Sequence, residues 1–216
     1  MKWMALIFDR DGTLFDSFPV ILAAFNHAIE PYTAKRPSDA EWFAAFGPDE
    51  QEVIGKFIPS EKKEEAFKRF YSYYNQHLDQ IRLFEGMKFV LEKLKQKGAK
   101  LAIFTGGGWE STTLVMAGKG IAEYFDVVIT GDRVQRPKPD PEGVLLALSE
   151  LKVPAEAALV VGDAGADILA GHSAGTKTAL ARWSVSAPPY DLPSRPDYTF
   201  YSVAEFKRFL LDEEKS

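Results

Sequence analysis

Short runs of apolar residues punctuate this chain. Five of them have the length of fully buried strands: Trp3–Phe8, Lys100–Phe104, Val127–Thr130, Ala158–Val161 and Thr176–Ala181, with a weaker run at Tyr198–Phe200. Helical spacing separates most of them. Met87, Val90, Leu91 and Leu94 recur on one helix face, and Gly98 follows as a C-cap. Val144, Leu145, Leu148 and Leu151 do the same, with Asp140 expected as N-cap and Pro141 as first helical residue. Strands alternating with helices predict an α/β fold: a doubly wound parallel sheet, Rossmann-like, covered on both faces.

One stretch breaks the alternation. From about Phe18 to Gln80 there is no strand run. Phe18, Leu22, Phe25 and Ile29 form one helical stripe, and Phe67, Phe70, Tyr74, Leu78 and Ile81 another. Ser38 with Glu41 reads as a capping box ahead of Trp42 and Phe46. The pattern predicts a core of residues 1–16 and 85–216 with an inserted helical cap domain, 17–84. Hinge linkers fall near Asp16–Phe18 and Arg82–Gly86. The proline-rich stretch Ser186–Pro196 is expected to be irregular.

Composition narrows the classes. The 216 residues are 46% apolar and 26% charged, enough for a sizeable core. A net charge of −5 argues against nucleic acid or an anionic membrane as partner. There is no cysteine, which excludes disulfides, thiolate metal sites and cysteine nucleophiles. The run Trp3–Phe8 is too short for a signal h-region and ends on Asp9, so a cytoplasmic location is expected.

Candidate chemistry gathers at the strand ends, where open parallel sheets bind ligands. Asp9 and Asp11 follow the first strand, and Thr105 with Gly106, Gly107 and Gly108 the second. Asp163 and Asp167 follow the fourth, and "RPKPDP" brings Lys138 ahead of it. Four carboxylates converging would repel unless a cation joined them. An all-oxygen site without cysteine favours a hard ion such as Mg²⁺, and with Lys138 it would accept a phosphate dianion. A carboxylate beside such an ion can attack phosphorus. A second acid can protonate the leaving oxygen and then activate water. A hydroxyl, a lysine and backbone N–H groups can hold the phosphoryl oxygens.

"DRDGTLFD", "FTG", "PKPDP" and "GDAGAD", in this order, resemble the four motifs of the haloacid dehalogenase superfamily, over nearly the whole chain. Phosphatases similar to phosphoglycolate phosphatase are the subgroup that fits best. The resemblance implies Asp9 as nucleophile and Asp11 as general acid/base. It implies Mg²⁺ held by Asp9, the main-chain carbonyl of Asp11 and Asp163, with Asp167 supporting, and Thr105, Gly106 and Lys138 on the phosphoryl group. The substrate would be a small phosphorylated metabolite. A sugar phosphomutase similar to β-phosphoglucomutase, or a pyrophosphatase, stays open, as does a non-catalytic phosphate sensor. Dehalogenation is argued against by Asp11.

The chain departs from the pattern at Arg10, where an apolar residue is usual, at Gly106, often Asn, and at Ala164, commonly Ser or Thr. On an ideal strand Arg10 points away from Asp9 and Asp11 toward a helix layer, where it needs a carboxylate partner. Asp16 is expected to cap the first cap helix. His27, His77 and His172 lack ligand spacing and read as surface or structural residues. Trp109 reads either as lining the site entrance or as packing. The turn "FGPDE", Phe46–Glu50, reads either as a loop dipping into the site or as a plain helix connection, and it offers no basic side chain.

Overall fold

Strand β1 (Ala5–Phe8) is buried along its whole length, as a strand covered on both faces must be. The computed structural model describes residues 2–188 and 192–211. After β1 comes a two-residue strand, β2 (Phe15–Asp16), then helices α1 (Phe18–Ile29), α2 (Asp39–Ala45), α3 (Glu50–Gly55) and α4 (Lys63–Gln76). The chain returns through β3 (Arg82–Leu83), antiparallel to β2, with Phe15 opposite Leu83 and Asp16 opposite Arg82. Alternation then resumes with α5 (Met87–Gln96), β4 (Lys100–Phe104), α6 (Trp109–Gly118), β5 (Val127–Ile129), α7 (Glu142–Leu151) and β6 (Ala158–Gly162). It closes with α8 (Gly165–Ser173), β7 (Lys177–Ala181), β8 (Tyr198–Phe200) and α9 (Val203–Leu211).

The sheet runs β5-β4-β1-β6-β7-β8, and every neighbouring pair is parallel. Period-two alternation splits β1 between two cores. Leu6 and Phe8 pack with Leu91, Leu94 and Phe206 on one face. Ala5 and Ile7 pack with Val144, Leu148 and Val160 on the other. The α/β fold expected from the pattern is therefore present. Chain order reverses about β1, which opens a crevice at the carboxyl ends of β1, β4 and β6.

The helical insertion has its own aromatic packing. Phe25 lies 5.0 Å from Trp42 and 4.8 Å from Phe70, ring centre to ring centre, and all three rings are buried. Removing one such ring costs about 3–5 kcal/mol in a well-packed core. The Ser38–Glu41 capping box forms as expected.

Several local expectations need correction. Asp16 does not cap α1. Ser17 holds the N-cap position without a side-chain capping bond, and Asp16 is held in the β2–β3 ribbon instead. Pro19 in the first turn also removes one N–H that a cap would accept. Pro141 is the N-cap of α7 rather than its first residue, while Asp140 Oδ1 still accepts from the N–H of Glu142 at 3.0 Å. The second stripe is not one helix, since α4 ends at Gln76 and Leu78–Gln80 form a 3₁₀ turn. Within Ser186–Pro196 the described residues carry no regular element, and 189–191 lie outside the described residues.

Candidate active site

Asp9 is the first residue beyond β1, Thr105 the first beyond β4 and Asp163 the first beyond β6. Because these strands are parallel neighbours, the three residues meet at one edge. Asp167 joins them from the first turn of α8, where its Oδ2 accepts the N–H of Ala164 at 3.0 Å. Lys138 arrives on the loop between β5 and α7. Its Nζ lies 2.6 Å from Asp9 Oδ1 and 2.6 Å from Asp167 Oδ1. The ammonium also sits 4.7 Å from the Phe104 ring centre, over a buried aromatic face. Burial works against its charge, but Asp167 and Asp9 hold it charged, above the ordinary lysine range.

Carboxylate oxygens of Asp9, Asp163 and Asp167 lie within 4.8 Å of one another. Burial pushes Asp9 up to about 7, with Asp167 and Asp11 adding to the rise and Lys138 opposing it. Burial, with Asp9 and Asp167, also raises Asp163 well above the usual carboxylate range. Asp163 Oδ2 is buried and has no hydrogen-bond partner. A buried carboxylate oxygen without a donor is costly unless a cation takes it. The donor set, three carboxylates and no sulfur or imidazole, suits a hard divalent ion. The residues present therefore fit Mg²⁺. Gly12 borders this cradle at φ +78°, and a Cβ there would stand 2.5 Å from Asp163 Oδ2.

Arg10 corrects its expectation in part. Its guanidinium does reach the helix layer, donating through Nη1 to Ser111 Oγ at 2.8 Å and Thr112 Oγ1 at 2.7 Å. It does not avoid Asp11. Nε and Nη2 both donate to Asp11 Oδ2, at 2.9 and 2.7 Å. β1 ends at Phe8, so the strict side-chain alternation of a strand no longer governs residues 9 to 11. Ser17 donates to the other Asp11 oxygen at 2.5 Å.

Glu50, at the start of α3, was not a sequence candidate. It is buried against the core, accepting from Gly108 N–H at 2.7 Å and Ser111 Oγ at 2.5 Å, with Arg10 Nη2 at 3.8 Å. Burial raises its pKa, and Arg10, Ser111 and Gly108 oppose that rise. Ser17, Ser111 and Thr112 also escaped sequence reasoning. The one available signal was that a buried Arg10 demands partners.

Thr105 is buried, and its Oγ1 accepts the N–H of Gly107 at 3.0 Å, which leaves the hydroxyl hydrogen free to donate. Gly106 lies under the insertion: a Cβ there would stand 2.8 Å from the carbonyl oxygen of Gly47. The residue missing relative to the family pattern thus has no room. Phe46, Gly47, Pro48 and Glu50 all line a cavity of about 480 Å³, together with Asp9, Asp11, Thr105, Gly106, Lys138, Asp163 and Asp167. Trp109 is exposed and off this lining. His172 is structural, set between Thr178, Ser194 and Asp197 at 2.9, 2.9 and 3.2 Å.

Residues 6–181 match the haloacid dehalogenase-like hydrolase family. The chain is 32% identical over 202 residues to the pyrophosphatase PpaX of Bacillus velezensis, covering 93% of each. Its structure resembles that of a predicted phosphoglycolate phosphatase from Haemophilus somnus, with a TM-score of 0.83 and 22% identity over 97% of this chain and 99% of that one. It also resembles CbbY from Rhodobacter sphaeroides, solved with phosphate, with a TM-score of 0.83 and 23% identity over 94% and 96% of the two chains. At those identities the two structures speak for the fold alone. Among the described residues, no helix is long and apolar enough to cross a membrane. The chain belongs to the haloacid dehalogenase-like hydrolase family, and it is an enzyme of the phosphatase type.

Proposed function

We propose that this enzyme hydrolyses a small phosphomonoester through a phosphoryl group carried on Asp9, with Mg²⁺ as cofactor. The observation that carries the reading is Lys138 Nζ at 2.6 Å from both Asp9 and Asp167, beside the unpartnered Asp163 oxygen. Asp9, Asp163 and the main-chain carbonyl of Asp11 would hold Mg²⁺, with Asp167 supporting. When bound, the ion neutralises carboxylate charge and polarises the phosphoryl group.

Asp9 attacks phosphorus, and the bond from phosphorus to the ester oxygen breaks. Asp11 passes a proton to that oxygen, and the alcohol leaves. Water then attacks the aspartyl phosphate, Asp11 takes a proton from it, and orthophosphate and free Asp9 result. Lys138, the Thr105 hydroxyl and the N–H of Gly106 hold the phosphoryl oxygens as charge builds on them. Residues 17–84 act as a cap over a core of 1–16 and 85–216, hinged where β2 pairs with β3. Closure excludes water from the reaction.

A pyrophosphatase reading is favoured by the name of the Bacillus relative. The test of the main reading is release of phosphate from a panel of phosphomonoesters and pyrophosphate, with Mg²⁺ or chelator. Asp9→Asn serves as the control. Release that needs both Mg²⁺ and Asp9 supports it. Release indifferent to Asp9 would overturn it.

A further inference from the structure

The cavity has two unlike walls. The core wall carries Asp9, Asp11, Asp163, Asp167, Lys138 and the Thr105–Gly107 backbone, while Glu50 comes from the insertion. The wall from the helical insertion is made chiefly of Phe18, Ile21, Phe25, Phe43, Phe46 and Val53. Its aromatic rings pack on one another: Phe18 lies 5.3 Å from Phe43, and Phe46 lies 5.4 Å from Phe43 and 5.7 Å from Phe25. Phe43 and Phe46 stay partly exposed toward the cavity, while Phe18 and Phe25 are buried behind them.

Charge on this cavity is one-sided. Among the described residues its only cationic side chains are Arg10 and Lys138, and both are already engaged. Arg10 is divided among Asp11, Ser111, Thr112 and Glu50, and Lys138 between Asp9 and Asp167. Five carboxylates line the same space: Asp9, Asp11, Glu50, Asp163 and Asp167. With Lys138 and a divalent ion committed to the phosphate dianion and Arg10 to its own partners, no cation among the described lining residues is left for a further anionic group. A second anionic group on the substrate, whether a carboxylate or a further phosphate, would sit against phenylalanine rings. It would be stripped of water and offered no counter-charge, an expensive arrangement.

Resting on the phosphatase reading above, we infer that the leaving group is an uncharged, apolar alcohol. The substrate class is then an aryl or alkyl phosphomonoester rather than pyrophosphate or a phosphorylated carboxylic acid. The phosphoryl group occupies the core wall, and the apolar alcohol fills the space walled by Phe43 and Phe46. Hydrolysis breaks the bond from phosphorus to the ester oxygen, and that oxygen leaves as the neutral alcohol.

The test compares kcat/KM for benzyl phosphate, 2-phosphoglycolate and pyrophosphate, with Mg²⁺, at matched pH and ionic strength. Benzyl phosphate and 2-phosphoglycolate both release an alkoxide-type oxygen, so charge and apolar character are what separate them. Pyrophosphate has the better leaving group, which biases the comparison against the inference. Benzyl phosphate should exceed both by about tenfold or more. Asp9-dependent turnover that favours either charged substrate overturns the inference and leaves the phosphatase reading standing. No Asp9-dependent turnover of any of the three overturns both. Phe46→Lys, which adds a cation to the apolar wall, should narrow the gap between benzyl phosphate and 2-phosphoglycolate. An unchanged gap would overturn the assignment of selectivity to that wall.

Discussion

Arg10 and Asp11, neighbours in the chain, turn their side chains onto each other: Nε and Nη2 of Arg10 both donate to Asp11 Oδ2, at 2.9 and 2.7 Å. The same guanidinium reaches Glu50 of α3 at 3.8 Å and two hydroxyls of α6. One buried cation thus joins the proposed acid/base, the helix behind the phosphate loop and the inserted helices. Arg10→Leu should lower stability by about 3 kcal/mol, because buried Glu50 and half-buried Asp11 lose their cation. Urea unfolding of Arg10→Leu, Glu50→Gln and the double variant would show a double loss smaller than the sum of the singles. Strict additivity would mean the two side chains do not share a network.

Lys138 separates Asp9 from Asp167 and points into the cavity. Lys138→Met keeps the volume and removes the charge. With a phosphomonoester and Mg²⁺, kcat should fall about 100-fold or more, since one charged donor to the developing phosphoryl charge is lost. A kcat near that of the unaltered enzyme would take Lys138 out of the machinery.

Gly107 and Gly118 lie just before and at the end of α6 and should respond oppositely to alanine. A Cβ at Gly107 would run into the Arg10 guanidinium, whereas one at Gly118 meets nothing within 4 Å. Gly107→Ala should cost about 2 kcal/mol through overpacking. Gly118→Ala should be neutral or stabilising by up to about 1 kcal/mol. Thermal melts of the two variants side by side would decide.

Asp197 ties the start of β8 to β7. Burial would raise its pKa, but hydrogen bonds from Lys177, Thr178 and His172 outweigh that and bring it from 3.8 down to about 2. A carboxylate held below its unfolded value stabilises above that value and loses the contribution as pH falls toward the folded one. Asp197→Asn should therefore lower the melting temperature at pH 7, by a small amount because Lys177 is exposed. The difference from the unaltered protein should close as pH falls from about 4 toward about 2. A difference that stays constant over that range would refute the assignment.

The insertion meets the core through Glu50 on Gly108 and Ser111, and its two connections pair as the β2–β3 ribbon. If it moves as a cap, Mg²⁺ with a phosphoryl mimic should shift the protein toward a more compact form in small-angle scattering. Glu50→Gln should weaken that shift. Scattering curves that do not change on adding both ligands would argue against hinge motion.

The six strands of the main sheet and the clustering of the candidate site residues were legible because both obey local rules, whereas the two-residue strands β2 and β3 were not. A strand covered on both faces must be apolar throughout, so the runs at Lys100–Phe104 and Tyr198–Phe200 match β4 and β8 to the residue. Parallel neighbouring strands deliver the residues just beyond their carboxyl ends to one edge, so Asp9, Thr105 and Asp163 had to meet once the order of strands was known. Reach across the molecule was not legible. Nothing near Glu50 in the chain marks it as a partner for Gly108 or Ser111, since any of the neighbouring glutamates has the same chemistry. The turn of Arg10 toward Asp11 depends on where β1 stops, and burial rather than alternation decides that. Patterns a few residues long specify the strands of the main sheet, the helical insertion and the candidate oxygen donors. Which charges neutralise which, and what walls the cavity, rests on contacts between segments far apart in the chain, and no short pattern encodes those.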